Sequence, residues 1–321
     1  MLAGKPLLLW VASAMRNITD SIVLSFNNEQ QKDLYLTSLS NQGTDVTIFD
    51  SLVDDPSFPA EGPLKGQLSV LNECSARTIV SSPVDMPFVP PNIYSTLVYQ
   101  QSAVSTVEGR KNVLEPLISG FIPSKCQELT QLLSRISKGR GDDLHRGTSD
   151  LCIFKIKEGD KTNPYWNLNI NHFNELTEAN SFYVDGQINK VLTSKHKIKV
   201  KGNAPENWEW VLGYFKDTSD PTKSIKSTFD DLLSTESYFV AGRYAEWSSE
   251  YCSTELAREV LFKAGKAYWL EGEVLVEKQC FFLARHAMLD AIRTVGQVNQ
   301  EPEWLNECKS ALAEVEAEMS L

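Results

Sequence analysis

The sequence predicts an α/β domain followed by an α-helical domain, and two observations lead to this fold class. In the first half of the chain, short apolar runs alternate with segments of helical periodicity. This alternation is typical of a mostly parallel sheet with helices on both faces. From residue 227 onward the periodicity is helical almost without interruption. We therefore assign residues 1–183 to the α/β domain, 184–204 to a linker and 205–321 to the helical domain.

The individual elements follow from the same periodicity. Apolar runs that end at turn residues predict strands, and amphipathic stretches predict helices. The predicted strands cover residues 22–26, 45–49, 77–81, 152–156 and 197–201, the last as an exposed edge or linker strand. The predicted helices cover residues 5–17, 30–39, 67–74, 112–137 and 173–180, with about four more between residues 227 and 319.

Composition and charge argue against several classes of function. The 321 residues carry a formal net charge of −11, which disfavours a general nucleic-acid binder because such proteins normally present a basic face. No apolar run of the length of a membrane span occurs, and the apolar start of the chain lacks the features of a signal peptide. The six cysteines lack metal-ligand spacing and indicate reduced thiols, so we expect a cytoplasmic protein.

Polar residues follow three of the predicted strands. Asn27, Asp50 and Asp85 each come directly or shortly after an apolar run. Ligands of open α/β sheets bind outside the carboxyl ends of the strands. The periodicity therefore predicts a ligand site formed at that edge of the sheet.

Several motifs in the first 180 residues resemble those of one enzyme family. Residues 62–66 read Gly-Pro-Leu-Lys-Gly, and residues 83–91 read Pro-Val-Asp-Met-Pro-Phe-Val-Pro-Pro. Residues 169–171 read Asn-Ile-Asn, and residues 4–7 read Gly-Lys-Pro-Leu at the start of the first predicted helix. These motifs, in this order and spacing, are similar to those of molybdenum cofactor guanylyltransferases.

The resemblance implies a three-layer, Rossmann-like nucleotidyltransferase fold and the transfer of a guanylyl group from GTP to the phosphate of molybdopterin. It gives the catalytic role to Asp85, which would hold Mg²⁺ together with Asn169 and Asn171. The residues that would contact the nucleotide or the cofactor are Lys5, Asn27, Asp50, Gly62, Pro63, Leu64 and Gly66. GTP and molybdopterin are thus the expected partners, and we expect neither nucleic acid nor a membrane to be bound.

Most of these candidates also have a purely structural interpretation. Gly62 and Gly66 could form a tight turn before a helix, and Asp85 could cap a helix. Asn169 and Asn171 could cap the helix that follows them. Asp50 could simply end a strand.

The chain departs from the family pattern at its start. The family's first strand and glycine-rich loop, whose amides hold the triphosphate with an arginine and a lysine, have no counterpart, because Met1–Gly4 runs directly into Lys5. Because that strand lies in the middle of the family's sheet, its loss would expose strand edges. We therefore expect weak or absent affinity for GTP. A second departure, on the cofactor side, is Glu115-Pro116 where the family has histidine-proline.

These departures keep an alternative function open. The chain could be a non-catalytic relative that acts as a binding or scaffold subunit through its helical domain. Residues 302–321 carry an apolar stripe at helical spacing. This helix either packs on the preceding one, which we favour, or docks a protein partner.

Overall fold

The computed structural model describes residues 1–137, 139–156, 165–184, 194–201, 211–213, 225–298 and 301–320, with the single residues 205 and 208. Strands β1 to β7 cover Val23–Phe26, Asp50–Val53, Ile79–Ser81, Val104–Glu108, Leu114–Phe121, Asp150–Ile156 and Ser194–Lys201. Helices α1 to α12 cover Leu7–Met15, Glu29–Asn41, Gly62–Glu73, Pro91–Val98, Pro123–Leu133, Asp143–Arg146, Phe173–Val184, Ile225–Ser234, Tyr238–Ser249, Thr254–Glu277, Phe281–Val295 and Trp304–Ser320.

The strands form two sheets. β1 and β2 pair in parallel, and the second sheet has the order β3-β5-β4-β6-β7. In this second sheet β4 and β6 are parallel, whereas the other neighbours are antiparallel. The α/β class with parallel strand pairs and a helical C-terminal region is confirmed, and the pairing is more mixed than the sequence predicted. The physical reason is the short β4–β5 connection, since strands joined by a hairpin must run antiparallel.

β1 and β3 each lie at the end of a described sheet. Within the described part of the chain, β1 pairs with β2 alone and β3 with β5 alone. All three residues of β3 are only half buried.

Two predicted elements are wrong. Residues 45–49 do not form a strand, because Val46–Ile48 is a 3-10 turn in which the Asp45 side chain accepts a hydrogen bond from Thr47 N at 3.0 Å. The predicted helix over 112–137 begins instead with β5, and only α5 within it is helical. Apolar residues at Leu114, Leu117, Ile118 and Phe121 have the spacing of a helix, which explains the error.

The predicted linker 184–204 contains β7. Residues of β7 pair antiparallel with β6 over Asp150–Ile156, so this stretch extends the large sheet. It forms the edge strand that the alternation of residues 197–201 predicted. The division of the chain into two domains stays a prediction.

The helical region packs directly on the α/β region. A hydrophobic cluster contains buried residues from α3, α5, β4, β5, β6 and α9 to α12. α12 buries Leu305, Cys308 and Val315, and its neighbour is α11. These contacts agree with the packing interpretation of residues 302–321. Among the described helices, none has the length and apolar character needed to cross a bilayer.

Candidate functional site

Polar residues gather at one edge of the large sheet. β3 and β4 both run antiparallel to β5, and β4 is parallel to β6, so the carboxyl ends of β3, β4 and β6 lie at the same edge. Residues 165–171, which we call the edge segment, cross this edge. Backbone and side-chain hydrogen bonds join the segment to Asp85 and to Glu115.

The loop that carries Asp85 and the segment that carries Asn169 meet at this edge. Ile170 N donates a hydrogen bond to the Asp85 carbonyl at 2.8 Å, which holds the edge segment beside the loop after β3. Burial raises the pKa of the Asp85 carboxyl, and a hydrogen bond from the Asn169 side chain opposes this rise. Asp85 Oδ1 is buried without a hydrogen-bond partner among the described residues. The carboxylate therefore retains an oxygen that a ligand or cation can use.

Asn171 does not share the contacts of Asp85 and Asn169. Its backbone amide and that of His172 donate to Glu175 Oε2, at 2.6 and 2.7 Å. Glu175 thus caps the start of α7, and Asn171 belongs to that cap. Within the described residues, no group of three or more histidine, cysteine, aspartate or glutamate side chains has the arrangement of a metal site.

The Gly-Pro-Leu-Lys-Gly motif forms the first turn and a half of α3. Gly62 has a φ of +62° at the start of the helix, and Pro63 is exposed beside it. Leu64 is 0% exposed and belongs to the hydrophobic core. The expectation that Leu64 contacts a ligand is therefore wrong for its side chain, because helical periodicity turns it toward the core with Leu68.

Gly66 lies against a polar pair that the sequence analysis missed. Ser25 Oγ on β1 donates a hydrogen bond of 2.5 Å to Asp54 Oδ1, directly after β2. A Cβ on residue 66 would lie 2.9 Å from Ser25 Oγ and 3.5 Å from Asp54 Oδ1, so the close approach requires glycine. Burial raises the pKa of Asp54, and Ser25 opposes the rise. The apolar residues Leu52 and Val53, directly before Asp54, could have indicated from the sequence that a strand ends there.

Asp54, and not Asp50, is the aspartate at the carboxyl end of β2. Asp50 begins β2, where it is exposed and accepts a hydrogen bond of 3.1 Å from Ser21 Oγ. The prediction that Asp50 ends a strand is therefore wrong, because the predicted strand was placed several residues too early. Its side chain lies at the opposite end of β2 from Asp54.

Two further candidates make only local contacts in the described structure. Asn27 follows β1 and is exposed, and its backbone amide donates to Gln31 Oε1 at 2.8 Å. The Lys5 ammonium lies 5.6 Å from the centre of the Trp10 ring. No described contact joins Asn27 or Lys5 to Asp85.

Glu115 and Asn167 form a second carboxylate–amide pair at the edge. Asn167 Nδ2 donates a hydrogen bond of 3.1 Å to Glu115 Oε1. Burial raises the pKa of Glu115 to about 6, and the Asn167 bond opposes this rise. Asn167 was not among the site residues predicted from the sequence. Glu115 had been noted only as a departure from the histidine of the family.

A cavity of about 380 Å³ opens where the start of α3 meets the helical region. Its walls are formed by Glu61, Ser137, Gly139, Arg140, Asp290 and Arg293. The cavity therefore adjoins the exposed first residues of the glycine motif.

Comparisons with known proteins agree with the motifs. The family whose model matches is the MobA-like NTP transferase domain, over residues 1–148. A probable molybdenum cofactor guanylyltransferase from Geobacillus sp. (strain WCH70) is 26% identical over 84 residues. That alignment covers 26% of this chain and 43% of the relative, so the chain spans less than half of the relative's length.

A solved structure is also similar. It is the molybdopterin-guanine dinucleotide biosynthesis protein A from Archaeoglobus fulgidus, with 20% identity and a TM-score of 0.44, over 58% of this chain and 89% of that one. The family match and the Geobacillus relative confirm the predicted resemblance to the molybdenum cofactor guanylyltransferase family. Residues 1–148 therefore resemble MobA-like NTP transferase domains.

Proposed function

We propose that the α/β region binds GTP at the carboxyl edge of its sheets and transfers the guanylyl group to the phosphate of molybdopterin. The observation that carries this proposal is the backbone hydrogen bond of 2.8 Å from Ile170 N to the Asp85 carbonyl, which brings the Asn-Ile-Asn motif beside Asp85. Each residue stands in a motif that resembles the family's, and the fold brings the two motifs together. The name of the Geobacillus relative supports this choice of substrates.

Mg²⁺ suits the donors present at Asp85. The buried Oδ1 without a hydrogen-bond partner is a carboxylate oxygen, the ligand type that Mg²⁺ prefers. Mg²⁺ commonly binds through one or two carboxylates together with waters and substrate phosphates, so a cluster of three acids is not required. In this proposal Asp85 holds the ion and Asn169 fixes the orientation of the carboxylate. The ion would neutralise charge on the triphosphate.

The remaining residues of the edge would position the substrates. Phosphoryl transfer depends mostly on positioning and on neutralising charge. Gly62 and Pro63 leave the start of α3 exposed, where backbone amides favour an anion. Because Gly66 lacks a Cβ, Ser25 and Asp54 approach the backbone of α3 closely.

Calorimetric titration with GTP and Mg²⁺ tests the proposal. We expect Mg²⁺-dependent binding of GTP by the chain. Asp85→Ala should abolish the Mg²⁺ dependence, whereas Asp33→Ala, which removes an exposed carboxylate of α2, should not. Guanylyl transfer is then measured with α-labelled GTP and molybdopterin.

A non-catalytic role is the second candidate. The family match ends at residue 148 and leaves the helical region outside it. Absence of Mg²⁺-dependent binding at millimolar GTP would favour this candidate, in which the helical region recruits a protein partner. A low-micromolar dissociation constant for GTP would exclude it.

A further inference from the structure

We propose that Glu115 and Asn167 form a subsite that recognises a ring with a 2-aminopyrimidin-4-one edge, which pterins and guanine share. This inference rests on the proposed function and adds to it the residues that read the ring. It is carried by the geometry around Glu115, by the contrast with a neighbouring glutamate, and by the link to Asp85.

Two glutamates flank the turn between β4 and β5, and their surroundings differ. Glu108 is buried and forms an ion pair of 2.8 Å with Lys155 Nζ. Glu115 is half buried, and its side-chain partner among the described residues is the neutral amide of Asn167. An ionised carboxylate offers about four acceptor positions, of which Asn167 uses one. Glu115 therefore retains acceptor capacity on its accessible side, where no described cation balances its charge.

The position of Asn167 is fixed by close packing. A Cβ on Gly109 would lie 3.1 Å from Asn167 Nδ2 and 3.0 Å from Trp166 Cζ2, so both side chains lie directly on the glycine. Trp166 is 2% exposed and anchors the edge segment in the core. The Asn167 amide is thereby held toward Glu115, and the pair is organised before a ligand arrives.

The edge segment places this pair beside the candidate phosphate site. Asn167 contacts Glu115, and Ile170 N, three residues further on, donates a hydrogen bond of 2.8 Å to the Asp85 carbonyl. A ring bound at Glu115 would therefore lie next to phosphates bound at Asp85. Such an order suits either a nucleotide or a phosphorylated pterin, because each joins a ring to a phosphate.

The chemistry of the ring edge matches a carboxylate. The 2-amino group and the adjacent ring N–H point in nearly the same direction and can donate to the two carboxylate oxygens, a charge-assisted bidentate contact. An analogue without the 2-amino group loses one of these bonds. A site built for an N–H donor rejects an analogue that lacks it, because its acceptor is then left without a partner.

The test compares two pairs of probes by calorimetry in the presence of Mg²⁺. One pair is GTP and ITP, which differ in the 2-amino group. The other pair is neopterin monophosphate and the corresponding lumazine, in which a carbonyl replaces that group. We expect the unaltered chain to prefer the amino compound in one pair by about tenfold or more. Glu115→Gln should reduce this preference to about twofold or less, because the amide presents one acceptor and adds a donor.

If Glu115→Gln reduces the preference for GTP over ITP, the subsite binds guanine. If it reduces the preference for neopterin monophosphate over the lumazine, the subsite binds a pterin. Glu314→Gln, which changes an exposed carboxylate on α12, is the matched control and should keep the preference. An unchanged unfolding midpoint in Glu115→Gln would show that the fold is intact. The subsite is overturned if the unaltered chain binds GTP but shows no preference in either pair, or if Glu115→Gln retains it. Failure to bind any of the four probes would overturn the proposed function as well.

Discussion

Partly or fully buried carboxylates have different partners in two parts of the molecule, at the edge of the large sheet and where α6 meets α9, α10 and α11. At the edge, Glu115 accepts a hydrogen bond from the Asn167 amide, and Asp85 Oδ1 has no hydrogen-bond partner among the described residues. The second part, which we call the arginine network, consists of Arg140, Asp142, Asp143, Arg146, Arg243, Glu246, Glu271, Asp290 and Arg293. There, acidic side chains face guanidinium groups at hydrogen-bond distance.

The bonds of the network are short and in part bidentate. Arg146 Nε and Nη2 bond both carboxylate oxygens of Glu271 at 2.7 Å, and its Nη1 lies 2.7 Å from Asp290 Oδ2. Arg243 Nη2 bonds Asp143 Oδ1 at 2.7 Å. Burial by itself would raise the pKa of Asp290, but the nearby arginines hold it well below its usual range.

The contrast shows that a perturbed pKa does not by itself locate a functional site. In the network four arginines face five carboxylates, and each guanidinium forms an ion pair with at least one of them, which links the helical region to the α/β region. At the edge, burial raises the pKa of both carboxylates, and the described partners are neutral amides. A ligand can bind to a partly accessible carboxylate oxygen that has no partner within the protein.

The largest effect is expected from breaking the network. Arg146→Ala leaves Glu271 and Asp290 buried without their main partner, and removal of one member of a buried ion pair typically costs about 3–5 kcal/mol. The free energy of unfolding, measured in urea, gives this number. Arg258→Ala on the exposed side of α10 is the control. Equal stability of the two variants would contradict a structural role for the network.

The next effect is a pH dependence that originates at His145, between the sheet and the network. His145 Nε2 lies 2.8 Å from Ser119 Oγ, and burial lowers the pKa of its ring to about 4. Between pH 6.5 and 4 the unfolded chain binds a proton that the folded chain does not, so stability rises with pH in this window. The difference amounts to about 3 kcal/mol, which is lost as the pH falls from 6.5 to 4.

A variant isolates this contribution from that of other groups. His145→Gln keeps an amide near Ser119 but cannot be protonated, so its unfolding free energy should change less between pH 6.5 and 4. Urea unfolding at several pH values measures the difference. An identical pH dependence in both proteins would show that His145 is not held in the neutral form.

The sequence predicts residues that stand in recognisable motifs better than contacts between residues that are far apart in the chain. Asp85 and Asn169 could be proposed from the sequence because both residues stand in recognisable motifs, and their role as site residues stays a prediction. The arginine network could not, because Arg146 meets Glu271 and Asp290 only after the helices have packed. Nothing in the local pattern around Arg146 distinguishes it from a surface arginine.

Strand boundaries limited the prediction of the site. The apolar residues Val46 and Ile48 suggested a strand, but the Asp45 cap turns them into a 3-10 turn. The strand therefore begins later, and Asp54 replaces Asp50 at its carboxyl end. Local side-chain capping competes with strand formation, and periodicity alone does not reveal which prevails.

The smallest change in stability is expected at the sheet edge, together with a complete loss of function. Asp85→Asn keeps the shape of the side chain and removes a charge that burial disfavours, so the unfolding free energy should stay within about 0.5 kcal/mol of the original. The same exchange at Asp290 leaves arginines without their shared carboxylate and should lower stability clearly. Mg²⁺-dependent binding of GTP should show the reverse order, being abolished by Asp85→Asn and retained by Asp290→Asn below its unfolding transition. If Asp85→Asn destabilised the chain as much as Asp290→Asn, Asp85 would be a structural residue and the contrast between the two regions would fail.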